Sequence, residues 1–195
     1  MRLVFIAFLI FIFTPSTHAE RGEFIISIAA VANNTIENIE NNEEEKAYNV
    51  GAAVLFEANV NSYFGIETGG ILIDRQYDVK SGSLRLVENV KRLHIPILFR
   101  LWPADFVSIA AGPFASFKIG NTTRTVEIGN IVSANLETSA DEEAQYGLDA
   151  AVTFNIAVYN KTGIFIEGRY SSPFEKEDNE TSDEATALVG VKLSL

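Results

Sequence analysis

His94 is the residue to start from, in the run VKRLHIPILFR over residues 90–100. A histidine can act as a general base when a serine or an acid lies within about 3 Å of it. No motif sets a serine beside His94. The spacing of the surrounding charges favours a structural role in an ionic network. Glu57, Glu67, Arg92, His94, Arg100, Asp149, Glu167, Arg169 and Lys192 each fall on the less apolar parity of an alternating segment, with Lys118 as a further candidate. Four carboxylates against four strong cations suit mutual pairing better than catalysis, and no catalytic residue is expected. The acidic runs Glu43-Glu44-Glu45, Asp141-Glu142-Glu143 and residues 175–184 carry oxygen ligands of the kind calcium and magnesium take. Their spacing matches no EF-hand or nonapeptide calcium repeat, so they read as solvated surface. Gly-rich phosphate loops and Cys/His clusters are absent from the sequence, and no metal or cofactor is expected.

The segments that must position these charges alternate apolar and polar residues with period two, the mark of a strand with two unlike faces. Residues 90–101 place Leu93, Ile95, Ile97, Phe99 and Leu101 on one face and Arg92, His94, Pro96, Leu98 and Arg100 on the other. Residues 107–119 repeat the pattern after a short turn at residues 102–105. Similar alternation over residues 23–32, 48–60, 63–73, 146–158, 162–171 and 185–195 makes eight strands. Their connections run long (33–46), short (61–62), long (74–88), short (102–105), long (121–145), short (159–161) and long (172–184), with residues 124–128 able to extend the strands. Short turns on one side and long loops on the other describe an eight-stranded antiparallel up-and-down transmembrane β-barrel with both termini periplasmic. The apolar faces then meet lipid and the charges fill the lumen. An eight-stranded barrel is just wide enough for its own side chains, so the lumen reads as a salt-bridged plug. A soluble lipocalin-like barrel would invert the pattern. Trp102, Tyr48, Tyr63, Tyr77, Tyr146, Tyr159 and Tyr170 sit mostly at strand ends and are expected in interfacial aromatic girdles.

The first 19 residues have the parts of a secretory signal: Arg2, an apolar run over residues 3–13, and Thr17-His18-Ala19 as a cleavage site. Residues 20–195 are the expected barrel domain. Losing Arg2 with the leader takes the formal charge of −11 one unit further negative, which disfavours a nucleic-acid partner. The chain has no cysteine, so an exported domain of this size draws its stability from something other than disulfides. No mature segment is apolar over 18 residues, leaving strands as the route across a bilayer.

The run Leu93-His94-Ile95-Pro96-Ile97-Leu98-Phe99-Arg100, followed by Ala110-Ala111-Gly112-Pro113-Phe114, resembles the core of the bacterial outer-membrane β-barrel domain (PorT-like) family. The segments over residues 62–72 and 189–195 are similar to further strands of that family. The resemblance implies an eight-stranded barrel in the outer membrane of a Gram-negative bacterium, with outer-membrane lipid or lipopolysaccharide around it and the barrel-assembly machinery as its insertion partner. Leu195 stands where related small barrels end in an aromatic. A resemblance of this kind implies a fold and no catalytic site. It leaves three roles: a surface or envelope protein whose loops could meet an extracellular ligand, a narrow channel, or a lipid-modifying enzyme using His94.

Overall fold

The computed structural model describes residues 24–36, 49–81, 84–128, 131–138, 144–159, 161–174 and 183–195. The proposed leader and most of the acidic runs lie outside these residues. Every regular element among those described is a strand: β1 (Phe24–Ile36), β2 (Asn49–Asn59), β3 (Phe64–Ser81), β4 (Leu84–Ala104), β5 (Val107–Lys118), β6 (Thr122–Ile128), β7 (Ile131–Thr138), β8 (Ala144–Tyr159), β9 (Thr162–Pro173) and β10 (Asp183–Ser194).

Eight of the ten close a barrel. The pairing runs β3-β2-β1-β10-β9-β8-β5-β4, and β4 returns to β3. All these ladders are antiparallel. The seam is made by the first and last strands, and Leu195 N donates to Phe24 O at 2.9 Å. Both chain ends of the barrel therefore lie at one end, together with the short turns. In the turn after β2, Asn61 Oδ1 accepts from the backbone of Tyr63 (2.8 Å) and Phe64 (3.0 Å), a side chain standing in for a turn's own carbonyl.

At the opposite end three expectations need correction. Residues 74–88 are strand: β3 and β4 stay paired from Asp74↔Lys91 to Ser81↔Leu84. Residues 121–145 likewise contain the hairpin β6–β7, and β6 lies along β4 from Asn89↔Thr123 to Leu84↔Ile128. Backbone pairing has extended both pairs past the barrel wall into a four-stranded sheet, β3-β4-β6-β7. Gly120, with φ of 76°, takes the left-handed conformation between β5 and β6 that glycine adopts without steric cost. Finally, β1 runs on to Ile36, bringing Asn33 into the strand.

Period-two alternation decides which side chain faces which way. On β2, Ala53, Leu55 and Glu57 are buried while Val54 and Phe56 are exposed. On β4, Arg92, His94, Pro96, Leu98 and Arg100 are buried while Ile97 and Phe99 are exposed. Around the outside, 28 large apolar side chains of the described residues are exposed. At about 1 kcal/mol for each half-exposed side chain, water would leave roughly 25 kcal/mol of burial unrealised. A domain is held together by only ~5–15 kcal/mol. The belt fits a hydrocarbon solvent, and the fold is a transmembrane barrel of eight antiparallel strands.

Candidate functional site: the barrel lumen

Inside the barrel the buried side chains sort by strand. β1, β2 and β3 contribute Ala29, Val31, Ala53, Leu55, Ile71 and Ile73, which cluster with Phe165 and Leu188. β4, β5, β8 and β9 contribute most of the polar groups. The expected plug of ion pairs therefore shares the lumen with this apolar cluster, and a smaller one of Leu98, Ala110 and Ala151 lies among the polar strands. The cause is local: the inward parity of β1–β3 is mostly small or aliphatic between Ala29 and Ile73.

Two arginines organise the polar side. Arg100 Nη2 donates to Glu67 and, at 3.0 Å, to Glu167, while its Nη1 donates to Thr153 and to Ser108 Oγ at 2.7 Å. Arg169 Nη2 donates to Glu167 Oε1 at 2.6 Å and to Glu67 Oε1 at 2.8 Å. Thr153 adds a hydrogen bond to Glu167 Oε2 at 2.7 Å. Glu67 and Glu167 are thus each gripped by both guanidinium groups, whose fork geometry suits carboxylates. All four residues are at most 3% exposed, so the mutual pairing is what makes their burial tolerable.

The column continues in both directions from this clamp. Towards the terminal end, Glu57 Oε2 lies 3.4 Å from Arg100 Nε and 3.8 Å from Lys192 Nζ. Trp102 Nε1 donates to Glu57 Oε1 at 3.2 Å, and Lys192 sits over the rings of Trp102 and Phe165 at 5.3 and 4.9 Å. Towards the far end, Asp149 Oδ2 lies 3.5 Å from Arg169 Nη1 and 2.8 Å from His94 Nε2. His94 stacks on Phe114 with ring centroids 4.4 Å apart. Arg92 stands beyond, its Nε donating to Ser116 Oγ at 3.1 Å. The residues Glu57, Glu67, His94, Arg100, Asp149, Glu167, Arg169 and Lys192 form one chain of contacts, with Arg92 on Ser116 above it. Lys118 ends half-buried at the close of β5, opposite Arg92 in register.

Trp102 corrects a further expectation. It is 3% exposed and points inward rather than into a girdle. β4 runs on to Ala104, so Trp102 keeps the inward parity of Arg100; an extra residue in β4 between Leu101 and Ala104 then turns the strand. Tyr63, Tyr146 and Tyr170 are exposed at strand ends, as expected. Ser108, Ser116 and Thr153 were not singled out from the sequence, although each has the inward parity of its strand. Ser116 is the register partner of His94, but its hydroxyl accepts from Arg92. No group of three or more His, Cys, Asp or Glu among the described residues is arranged to hold a metal.

The chain matches no family model and no curated protein sequence. Its fold matches solved structures. Ail, the attachment invasion locus protein of Yersinia pestis, in complex with the heparin analogue sucrose octasulfate, is 12% identical with a TM-score of 0.56, over 89% of this chain and 98% of that one. The outer membrane protein OprG from Pseudomonas aeruginosa is 12% identical with a TM-score of 0.56, over 89% and 93%. Neisserial surface protein A is 11% identical with a TM-score of 0.50, over 91% and 100%. At these identities the likeness is one of fold: that of the small outer-membrane β-barrels.

Proposed function

We propose that this chain is a non-enzymatic outer-membrane protein of a Gram-negative bacterium. Its plugged barrel anchors an outward-facing assembly of sheet and acidic loops that acts in surface attachment or envelope integrity. The observation that carries this is the pairing of a continuous apolar belt with a lumen filled by its own side chains. A barrel built this way holds its place in lipid and leaves function to what projects from it. The sheet β3-β4-β6-β7 projects from the end opposite the chain termini, which supports that end as the extracellular one. In this reading residues 1–19 are a cleaved signal, residues 20–195 the barrel domain, and the barrel-assembly machinery inserts it among outer-membrane lipids and lipopolysaccharide. The motif over residues 93–100 and 110–114 supports a PorT-like affiliation. The name of Ail, an attachment protein of the same fold, supports an adhesive role.

The narrow channel is the second reading, supported by the charged side of the lumen; the doubly gripped carboxylates oppose it. An enzyme using His94 is opposed by the 3% exposure of that residue and the engagement of its Nε2 by Asp149.

Expression with residues 1–19 in place, followed by isolation of the outer-membrane fraction, tests the reading. Unboiled sample should migrate faster than boiled sample on a denaturing gel, and the protein should leave a planar bilayer electrically closed. Replacing residues 75–90 by the two-residue turn Asn-Gly should abolish cell-surface attachment while keeping the gel shift. A soluble periplasmic product without a shift would overturn the membrane placement, and steady conductance would favour the channel.

A further inference from the structure

The sheet that projects from the barrel ends on an open edge. Among the described residues β7 forms one ladder, with β6, and stands last in the strand order. Natural proteins usually blunt such an edge with lysine, proline or several charges. The eight residues of β7 include no proline and one charge, Glu137. Val126 pairs with Ala134 and Glu127 with Val132, so Ser133 is an extra residue, and residues 134–138 pair without interruption. The sheet is also two-faced across its register. Val79, Leu86, Val126 and Ala134 share one row, while Lys80, Arg85, Glu127 and Val132 share a row of the opposite parity.

We propose that the edge of β7 pairs with β7 of a second copy of this chain, standing in the outer membrane of a neighbouring cell. The inference deepens the attachment reading and rests on its placement of this end outside the cell. β4 runs towards the end that holds the chain termini and β6 is antiparallel to it, so β7 runs back towards the membrane. Two identical edges join antiparallel about a two-fold axis normal to the sheet, and that axis inverts the second barrel. A copy in the same membrane presents β7 in the same sense and cannot form that ladder. A copy in an opposed membrane presents it reversed.

The two-fold also keeps like face with like face. Two four-stranded sheets merge into one that retains an apolar side and a charged side, a match that no foreign strand has built in. With Leu136 on the axis, Asn135 of each copy falls opposite Glu137 of the other. The two Glu137 residues are then not directly opposed, and β7 brings little of the chain's formal charge of −11 to the contact. Main-chain hydrogen bonds give strand addition its affinity, and many copies on each surface multiply a weak single contact.

The test uses the full-length chain, expressed with residues 1–19 in place in two differently coloured populations of a Gram-negative host. Mixed aggregates are counted by flow cytometry. Parent cells should aggregate with parent cells and leave non-expressing cells behind. Asn135→Glu sets a carboxylate opposite Glu137 and should reduce mixed aggregates about tenfold, because directly opposed like charges weaken a ladder and the loss compounds over many contacts. Mixing Asn135→Glu cells with Glu137→Lys cells should restore the aggregates, a rescue that a misfolded sheet would not show. Equal capture of non-expressing cells would put the partner elsewhere on the cell surface and overturn the proposal. Dispersed parent cells, an Asn135→Glu variant that aggregates like the parent, or a loss that Glu137→Lys does not rescue would overturn it too. Parent cells that stay dispersed yet attach to other surfaces would leave the attachment reading standing, whereas a missing gel shift in the parent would remove the membrane placement itself.

Discussion

Arg169 shows what a single buried cation does here. It touches Glu67, Glu167 and Asp149 within 3.5 Å, so removing it takes a cation from three buried carboxylates at once, leaving Glu67 and Glu167 to share Arg100. Arg169→Met should destabilise the barrel by about 3–5 kcal/mol, the usual result of breaking a buried pair from one side. The readouts are the urea midpoint in detergent micelles and the temperature at which the fast gel band disappears. Adding Glu167→Gln to that variant should recover part of the loss, because a neutral amide needs no counter-charge. If the single variant unfolds like the parent, the clamp contributes nothing to stability. On the lipid side the rule is different. Val189→Arg puts a charge on the belt and should cost about 2–4 kcal/mol if the residue sits near mid-bilayer, measured by the same unfolding titration.

Among the elements, β4 and β5 show why certain glycines are fixed by neighbours rather than by backbone conformation. A Cβ on Gly112 would lie 2.1 Å from the carbonyl oxygen of Ile97 on the adjacent strand. Gly112→Ala should therefore force β4 and β5 apart, costing about 1–3 kcal/mol as overpacking does, whereas Gly168→Ala should leave the unfolding midpoint unchanged. The eight barrel strands were legible in the sequence because each repeats the period-two pattern that a two-faced wall demands. The projecting sheet was less legible, because residues 75–81 and 122–128 show no clean apolar period. Its signal was in the dipeptides between the paired segments. Two residues, Gly82-Ser83, separate the paired Ser81 and Leu84; two more, Gly129-Asn130, separate Ile128 and Ile131. Both dipeptides are of the type that closes tight hairpins. Trp102 was misread because the strand was taken to stop at Leu101, three residues before β4 ends at Ala104, and parity carried one step further points it inward.

For the whole molecule, membership of the lumen followed from parity, but partnership within it did not. Glu67 and Arg169 lie 102 residues apart and meet at 2.8 Å; only the barrel's curvature brings them across the lumen, and no local spacing encodes that. The apolar clusters of the lumen were equally hidden, since Ala, Leu and Ile on an inward face look the same in sequence as they do on an outward one. The seam has a consequence in time. Its two edges are the first and last strands of the barrel to leave the ribosome, so a chain still missing β10 presents the open edge of β1 and the open edge of β9 together. Exposed edges of that kind pair with whatever strand they meet. Closure thus waits on one strand: until Asp183–Ser194 has been added, the ring has no partner for either edge and cannot shut.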